Sequence, residues 1–133
     1  MSEGDVELVR KAIAAFNRGG VEEALDYFDP SVEWIGPPEW LEERLYEGHD
    51  GIRKVASLWT ENFDDFQLEL ARVVDAGDHV VSLLYQRGRI KGSGAPIEQP
   101  LGYDWEIRDG KSTRVHVYFS WEQTLEAAGL SSE

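Results

Sequence analysis

The sequence predicts an α+β fold in which helices come first and an antiparallel sheet follows. Apolar residues recur at helical spacing in the first half of the chain, whereas from Phe66 onward they alternate with polar residues. Turn-forming Gly and Asp residues separate the alternating segments. Because the two patterns occupy separate halves, helices should cover one face of a curled sheet. The 133 residues contain no linker or repeat, so we expect a single domain over residues 1–133.

Three helices are expected in the first half. The first has an apolar stripe of four residues: Val6, Val9, Ile13 and Phe16. It ends at residues 17–20, where two glycines can adopt the positive φ of a C-terminal cap. A short second helix over residues 21–28 stops at Asp29-Pro30, and a strand follows over residues 31–35. After a loop, a third helix begins near Asp50, and its apolar stripe is Ile52, Val55, Ala56, Trp59 and Phe63.

Four strands and a short helix are expected after the third helix. The first strand begins at Phe66, and the other three cover residues 80–90, 97–107 and 112–121. A last helix over residues 122–128 is capped by Gly129.

The Asp-Gly turn between the last two strands determines which of their side chains face the helices. A slip of one residue turns every side chain of a strand to the other face. A loop of two residues would pair Tyr103 with His116, whereas a loop of three would pair Tyr103 with Val115. We favour the three-residue loop, because it gathers the apolar residues of both strands on one face. His116 and Tyr118 then point away from the helices.

Composition and charge exclude several classes of protein. No apolar run reaches 18 residues, so no membrane span is expected, and the acidic N-terminus is unlike a signal peptide. The absence of cysteine excludes a disulfide scaffold and a thiolate metal site. We therefore expect a cytoplasmic protein without a metal. The net charge of −13 includes no basic stripe, which argues against nucleic acid or anionic lipid as a partner.

Five segments, in this order and spacing, carry a resemblance to a known family. They are AAFNRGG at 14–20, YFDPSVEW at 27–34, YEGHDGIR at 46–53, RDGK at 108–111 and LEAAGL at 125–130. With them the chain resembles the SnoaL-like polyketide cyclase family of the nuclear transport factor 2-like superfamily. The resemblance implies a cone, in which a strongly bent antiparallel or mixed sheet wraps three N-terminal helices and opens into an apolar pocket. It also implies a homodimer through the outer face of the sheet.

The resemblance does not carry over the catalytic residues of the family. In steroid-isomerase relatives, an Asp on the first strand takes a proton next to a ketone, and Trp34 stands at that place. A Tyr on the first helix and a protonated Asp on a later strand stabilise the enolate in those relatives. Ala12 and Tyr103 occupy these two places. The Asp–His pair of the polyketide cyclases has no counterpart on the inward face, so the catalytic residues stay unassigned.

Large rings on the helix-facing side predict a ligand pocket. Its predicted lining is Phe16, Trp34, Trp59, Phe63, Gln86, Tyr103, Trp105 and Phe119, in which Gln86 and Tyr103 supply the polar groups. The leading hypothesis is the binding of a small apolar or aromatic molecule, with or without isomerase, cyclase or hydrolase activity that needs no cofactor. The alternatives are a non-catalytic binder and a dimeric interaction module that uses the outer face of the sheet. A closed, fully packed interior would exclude pocket binding.

Overall fold

The elements of the fold follow the predicted order of helices and strands, except that a short strand over residues 45–47 forms where the sequence predicted only a loop. The structure is a computed structural model that describes residues 2–41 and 43–130. In chain order, the elements are α1 (Ser2–Gly19), α2 (Val21–Ala24), a 3₁₀ turn (Leu25–Tyr27), β1 (Phe28–Ile35), β2 (Leu45–Glu47), α3 (Gly48–Thr60), β3 (Phe63–Asp75), β4 (Val80–Ile90), β5 (Pro96–Arg108), β6 (Lys111–Tyr118) and α4 (Trp121–Ala127). The α+β class is confirmed. The prediction of one domain over residues 1–133 extends to five residues outside the described ones. None of the described helices is long and apolar enough to cross a membrane.

The first helix forms where its apolar stripe predicts it. Val9 and Ile13 are buried in the core, and two acidic residues in the first turn, Glu3 and Asp5, lie at the positive end of the helix dipole. The helix stops because Gly20 adopts a φ of 81°, a conformation that few residues with a side chain tolerate.

All six strands form one mixed sheet in the order β2-β1-β6-β5-β4-β3. β1 and β6 are parallel, and the other neighbours are antiparallel. The sheet does not close, because β2 and β3 are its two edges. β3 has two register shifts against β4, and bulges of this kind bend a strand.

The two faces of the sheet carry different helices. Val80 and Leu84 of β4 belong to the main core with α1–α3, so we call this side the inner face. Val81 and Leu83 point to the opposite side, the outer face, where they form a second cluster with Leu125 of α4. Helices therefore lie on both faces, whereas the sequence analysis expected them on one.

The hairpin between β5 and β6 differs from the favoured register. Arg108 pairs with Lys111, so the loop has two residues, and both have the positive φ of a type I′ turn, 52° and 77°. A bulge beyond the turn then pairs Tyr103 with Val117 instead of Val115. The favoured three-residue loop was wrong and its register was off by two. The predicted faces are nevertheless right, because a shift of two residues keeps each side chain on its face.

Two element boundaries also differ from the prediction. Phe63 begins β3 and pairs with Ile90 of β4, although its spacing from Trp59 also suits a helix. β1 begins at Phe28, and it runs through Asp29-Pro30, where the prediction placed only a helix stop. In both places pairing with a neighbouring strand supplies backbone partners that local sequence signals do not reveal.

Candidate functional site

A cavity of about 80 Å³ lies between the inner face of the sheet and helices α1–α3. Fifteen residues line it, and eight of them are aliphatic. Six are aromatic: Phe16, Phe28, Trp34, Trp59, Phe66 and Tyr103. The fifteenth is Gln86. An engineered cavity of about 150 Å³ takes benzene, so a cavity of about half that volume suits a more compact molecule.

The amide group of Gln86 is the most deeply buried polar group of the cavity wall. The side chain is 1% exposed, and its Oε1 atom has no hydrogen-bond partner. Strand alternation places it on the inner face, because Leu84, two residues before it, packs in the main core. Leu68 of β3 pairs directly with Gln86 and also lines the cavity.

Among the described residues of the wall, only Tyr103 has an ionisable side chain. Burial raises the pKa of its hydroxyl well above the ordinary value, so the phenol remains a protonated hydrogen-bond donor. Tyr103 pairs with Ser82, four residues from Gln86 along β4, and four residues of strand span about 13 Å.

The carboxylates and imidazoles of the described residues lie outside this cavity. The Nε2 atom of His49 is 2.9 Å from the carbonyl oxygen of Phe28, and Nδ1 of His79 is 2.5 Å from Oδ1 of Asp104. His116 pairs with Asp104 and therefore shares its side of the sheet, the outer face. Among residues 2–41 and 43–130, no group of three His, Asp or Glu side chains is arranged to hold a metal ion.

The three positions that the resemblance aligns with isomerase chemistry all line the cavity. They are Ala12, Trp34 and Tyr103. The methyl group of Ala12 and the indole of Trp34 accept no proton, whereas the Tyr103 hydroxyl can donate a hydrogen bond to a ligand. The wall can therefore hold and orient a molecule, but it offers no general base.

Five of the eight predicted pocket residues line the cavity, namely Phe16, Trp34, Trp59, Gln86 and Tyr103. Trp105 lies one layer behind the wall, where its ring centroid is 5.9 Å from that of Phe28. Phe63 and Phe119 contact Trp59, with centroid distances of 6.3 and 6.4 Å, but are not among the lining residues. Ligand contact by any of the eight stays a prediction.

Trp40, in the loop between β1 and β2, is a further aromatic residue of the site that the predicted lining does not include. Its ring centroid lies 5.9 Å from that of Trp34 and 6.4 Å from that of Trp59, both of which line the cavity. A Cβ atom at Gly36 would lie 2.5 Å from the Trp40 ring, so the glycine makes room for the indole. The loop is closed at its base by a 2.8 Å hydrogen bond from the Gly36 amide to the Arg44 carbonyl. Trp40 therefore covers the aromatic end of the cavity wall.

Asn17 joins α1 to the edge of the sheet. Its Nδ2 atom donates to the Leu68 carbonyl at 2.7 Å, and its Oδ1 atom accepts from the Leu68 amide at 2.9 Å. The side chain thus pairs with the backbone N–H and C=O groups of Leu68 on the edge strand, as a further strand would. Because Phe16 and Leu68 both line the cavity, this pair of bonds fixes two parts of its wall.

Replacement of Asn17 by alanine is expected to lower the free energy of unfolding by about 1–3 kcal/mol, because two partly buried hydrogen bonds are lost. Urea denaturation followed by tryptophan fluorescence measures the change. Asn62 provides the control, because its side chain makes a single exposed hydrogen bond, from Nδ2 to the Leu58 carbonyl, so Asn62→Ala is expected to cost only about 0.5 kcal/mol. Equal effects of the two substitutions would contradict the role given to Asn17.

Comparison with solved structures places this fold among known ones. A hypothetical protein with a ketosteroid isomerase-like fold from Catenulispora acidiphila DSM 44928, solved in complex with trimethylamine, is 20% identical with a TM-score of 0.73, and 94% of each chain is covered. TerC co-crystallized with polyporic acid is 22% identical with a TM-score of 0.76, and 96% of this chain and 99% of that chain are covered. An NTF2-like protein from Burkholderia thailandensis E264 is 21% identical with a TM-score of 0.75, and the coverage is 95% and 97%.

These similarities support the fold, whereas the family follows from a match between the sequence and a family model. No curated protein matches this sequence. The model of the SnoaL-like domain matches residues 9–115, which include α2, α3, strands β1 to β5 and all fifteen lining residues of the cavity. On this match the chain belongs to the SnoaL-like domain family.

Proposed function

We propose that the protein binds a small, largely apolar molecule in the cavity between the sheet and α1–α3. The observation that carries the proposal is the composition of the wall, in which fourteen of fifteen residues are aliphatic or aromatic. Binding sites for small molecules are mostly apolar, with a few polar groups that orient the ligand. Gln86 and Tyr103 are the polar groups in the proposed site.

Binding has more support than catalysis by proton transfer. Isomerase, cyclase or hydrolase chemistry without a cofactor needs an acid or base within reach of the ligand. Among the described lining residues only Tyr103 is ionisable, and its raised pKa makes it a donor and not a base at neutral pH. Two fold neighbours were solved with small molecules, trimethylamine and polyporic acid, which agrees with a ligand-binding role for this fold.

The proposed partner is a small molecule and not a second protein. α4 covers part of the outer face, where Val81 and Leu83 pack against Leu125, so this apolar area is not free for a partner. A homodimer through the rest of the outer face stays a prediction.

Filling the cavity is expected to abolish binding without unfolding the protein. Ala56 lines the cavity from α3 and is only partly buried, so the larger side chain of Ala56→Leu fills part of the cavity. Suitable test ligands are pyrrole, furan and cyclopentene, three neutral five-membered rings, of which pyrrole and furan are closest to each other in size. At ten times its dissociation constant, a ligand should raise the free energy of unfolding by about 1.4 kcal/mol. We expect this gain for at least one ring with the natural chain and none with Ala56→Leu, both measured by chemical denaturation.

The matched control is Ala14→Leu, because Ala14 is exposed on the same layer of helices and does not line the cavity. It should leave ligand stabilisation unchanged. If none of the three rings stabilises the natural chain, or if Ala14→Leu and Ala56→Leu act alike, the proposed function is wrong.

A further inference from the structure

One polar atom in the core has no partner, the Oε1 atom of Gln86. It is the only such buried side-chain atom in the described part of the chain. The other buried polar side chains of the described residues do have partners. Ser82 accepts from the Trp105 indole at 2.9 Å, and Thr124 donates to the Ser120 carbonyl at 2.7 Å. A buried acceptor without a donor is destabilising, which makes this exception informative.

The position of Gln86 does not itself require a polar residue. β4 lies between β3 and β5. Among the inner-face neighbours of Gln86, Leu68 and Leu84 are apolar and buried, whereas Gln99, its partner on β5, is polar and half-buried. A leucine at position 86 would match Leu68 and Leu84 and remove the uncompensated acceptor. The Gln86 oxygen therefore has no partner among the described residues, and Gln86 is one of the residues that line the cavity.

The cavity can hold a donor for this oxygen. Its volume of about 80 Å³ exceeds the roughly 10–15 Å³ that one water needs, so a small donor group has room inside it. A ligand that donates to this oxygen removes the cost of the unpaired acceptor. The donor should be neutral, because none of the described lining residues carries a carboxylate to balance a buried cation.

We propose that the cavity selects a compact, neutral molecule with an apolar body and one N–H or O–H group, which donates a hydrogen bond to Oε1 of Gln86. This inference rests on the proposed function and adds the chemical class of its ligand. The rings of the wall contact the apolar body, and the amide oxygen distinguishes a donor from an isostere that has none.

The test compares pyrrole, furan and cyclopentene by titration, observed on the indole N–H signals of Trp34 and Trp59 in NMR spectra. Pyrrole and furan are close in size, but only pyrrole carries an N–H donor. Pyrrole is expected to bind at least about tenfold more tightly than furan or cyclopentene. In Gln86→Leu the affinities of pyrrole and furan should fall within about twofold of each other, and stability should not decrease.

Two further variants keep the test decisive. Gln67→Leu makes the same change at an exposed position of β3, and it should retain the preference for pyrrole. Gln86→Met replaces Gln86→Leu if the leucine variant does not fold. Equal affinities of the three rings for the natural chain, or a preference for furan, would overturn this inference while leaving the proposed function intact. If none of the rings binds, both proposals fail.

Discussion

Replacement of Trp105 by alanine is expected to lower the free energy of unfolding by about 3–5 kcal/mol. The indole is 2% exposed, and its Nε1–H group donates to the Ser82 hydroxyl at 2.9 Å. Its ring stacks against Phe28 and meets Tyr103 edge to face, with centroid distances of 5.9 and 5.8 Å. The alanine variant loses these contacts and leaves a void that the surrounding strands cannot fill. Urea denaturation measures the loss as a lower midpoint at unchanged slope.

A second substitution separates the stability role of Trp105 from ligand contact. Trp105→Phe keeps a ring but leaves the Ser82 hydroxyl without its indole partner, so a loss of about 1–2 kcal/mol is expected. Because Trp105 lies behind the cavity wall, Trp105→Phe should change the affinity for the five-membered rings by less than about twofold. A loss below about 1 kcal/mol for Trp105→Ala, or a large affinity change for Trp105→Phe, would contradict this placement.

The sequence predicts the faces of strands better than their registers. Trp105, Val115 and Val117 were all assigned to the inner face, and all three are buried there. Alternation predicts the face of a side chain, because within a regular strand the face depends only on whether the residue number is odd or even. The register depends on the bulge beyond the β5–β6 turn, and no local residue pattern predicts that bulge.

Phe63 illustrates a different limit of sequence analysis. It lies four residues after Trp59, which suits one face of a helix, and three residues before Phe66, where the alternating pattern begins. The pairing of Phe63 with Ile90 decides between the two, and this partner is 27 residues away in the sequence. Local periodicity contains no information about such a partner.

The candidate site was predictable only where its residues belong to regular elements. Phe16, Trp59 and Gln86 were found through helical or strand periodicity, and all three line the cavity. Trp40 stands in an irregular loop, and the partner of Asn17 is an edge strand 51 residues further along the chain. Both side chains act through long-range contacts, so only a three-dimensional structure reveals them.

Removal of the Trp40 indole is expected both to destabilise the protein and to enlarge its cavity. The ring contacts Trp34, Tyr46, Trp59 and Phe119, with centroid distances of 5.9–6.4 Å. Because Trp40 is only partly buried, we expect Trp40→Ala to cost about 3 kcal/mol, the lower end of the range for such truncations. The space vacated lies beside two residues of the cavity wall, so it can extend the cavity of about 80 Å³. Chemical denaturation measures the first effect.

The second effect concerns the size of the ligand. Benzene suits a cavity of about 150 Å³ and should bind the natural chain poorly. In Trp40→Ala its affinity should rise at least about tenfold, measured by titration on the indole signals of Trp34 and Trp59. Trp40→Phe keeps a ring in the loop and should give intermediate values for both stability and benzene affinity.

Leu41 provides the matched control for a substitution in the same loop. It is 95% exposed, so Leu41→Ala should alter neither stability nor benzene affinity measurably. If Trp40→Ala destabilises the protein but does not admit benzene, the indole supports the aromatic cluster without limiting the cavity. If benzene binds the natural chain as tightly as it binds Trp40→Ala, the wall adapts to its occupant. The movement of the loop, and not the volume of the empty cavity, then sets the size of the ligand.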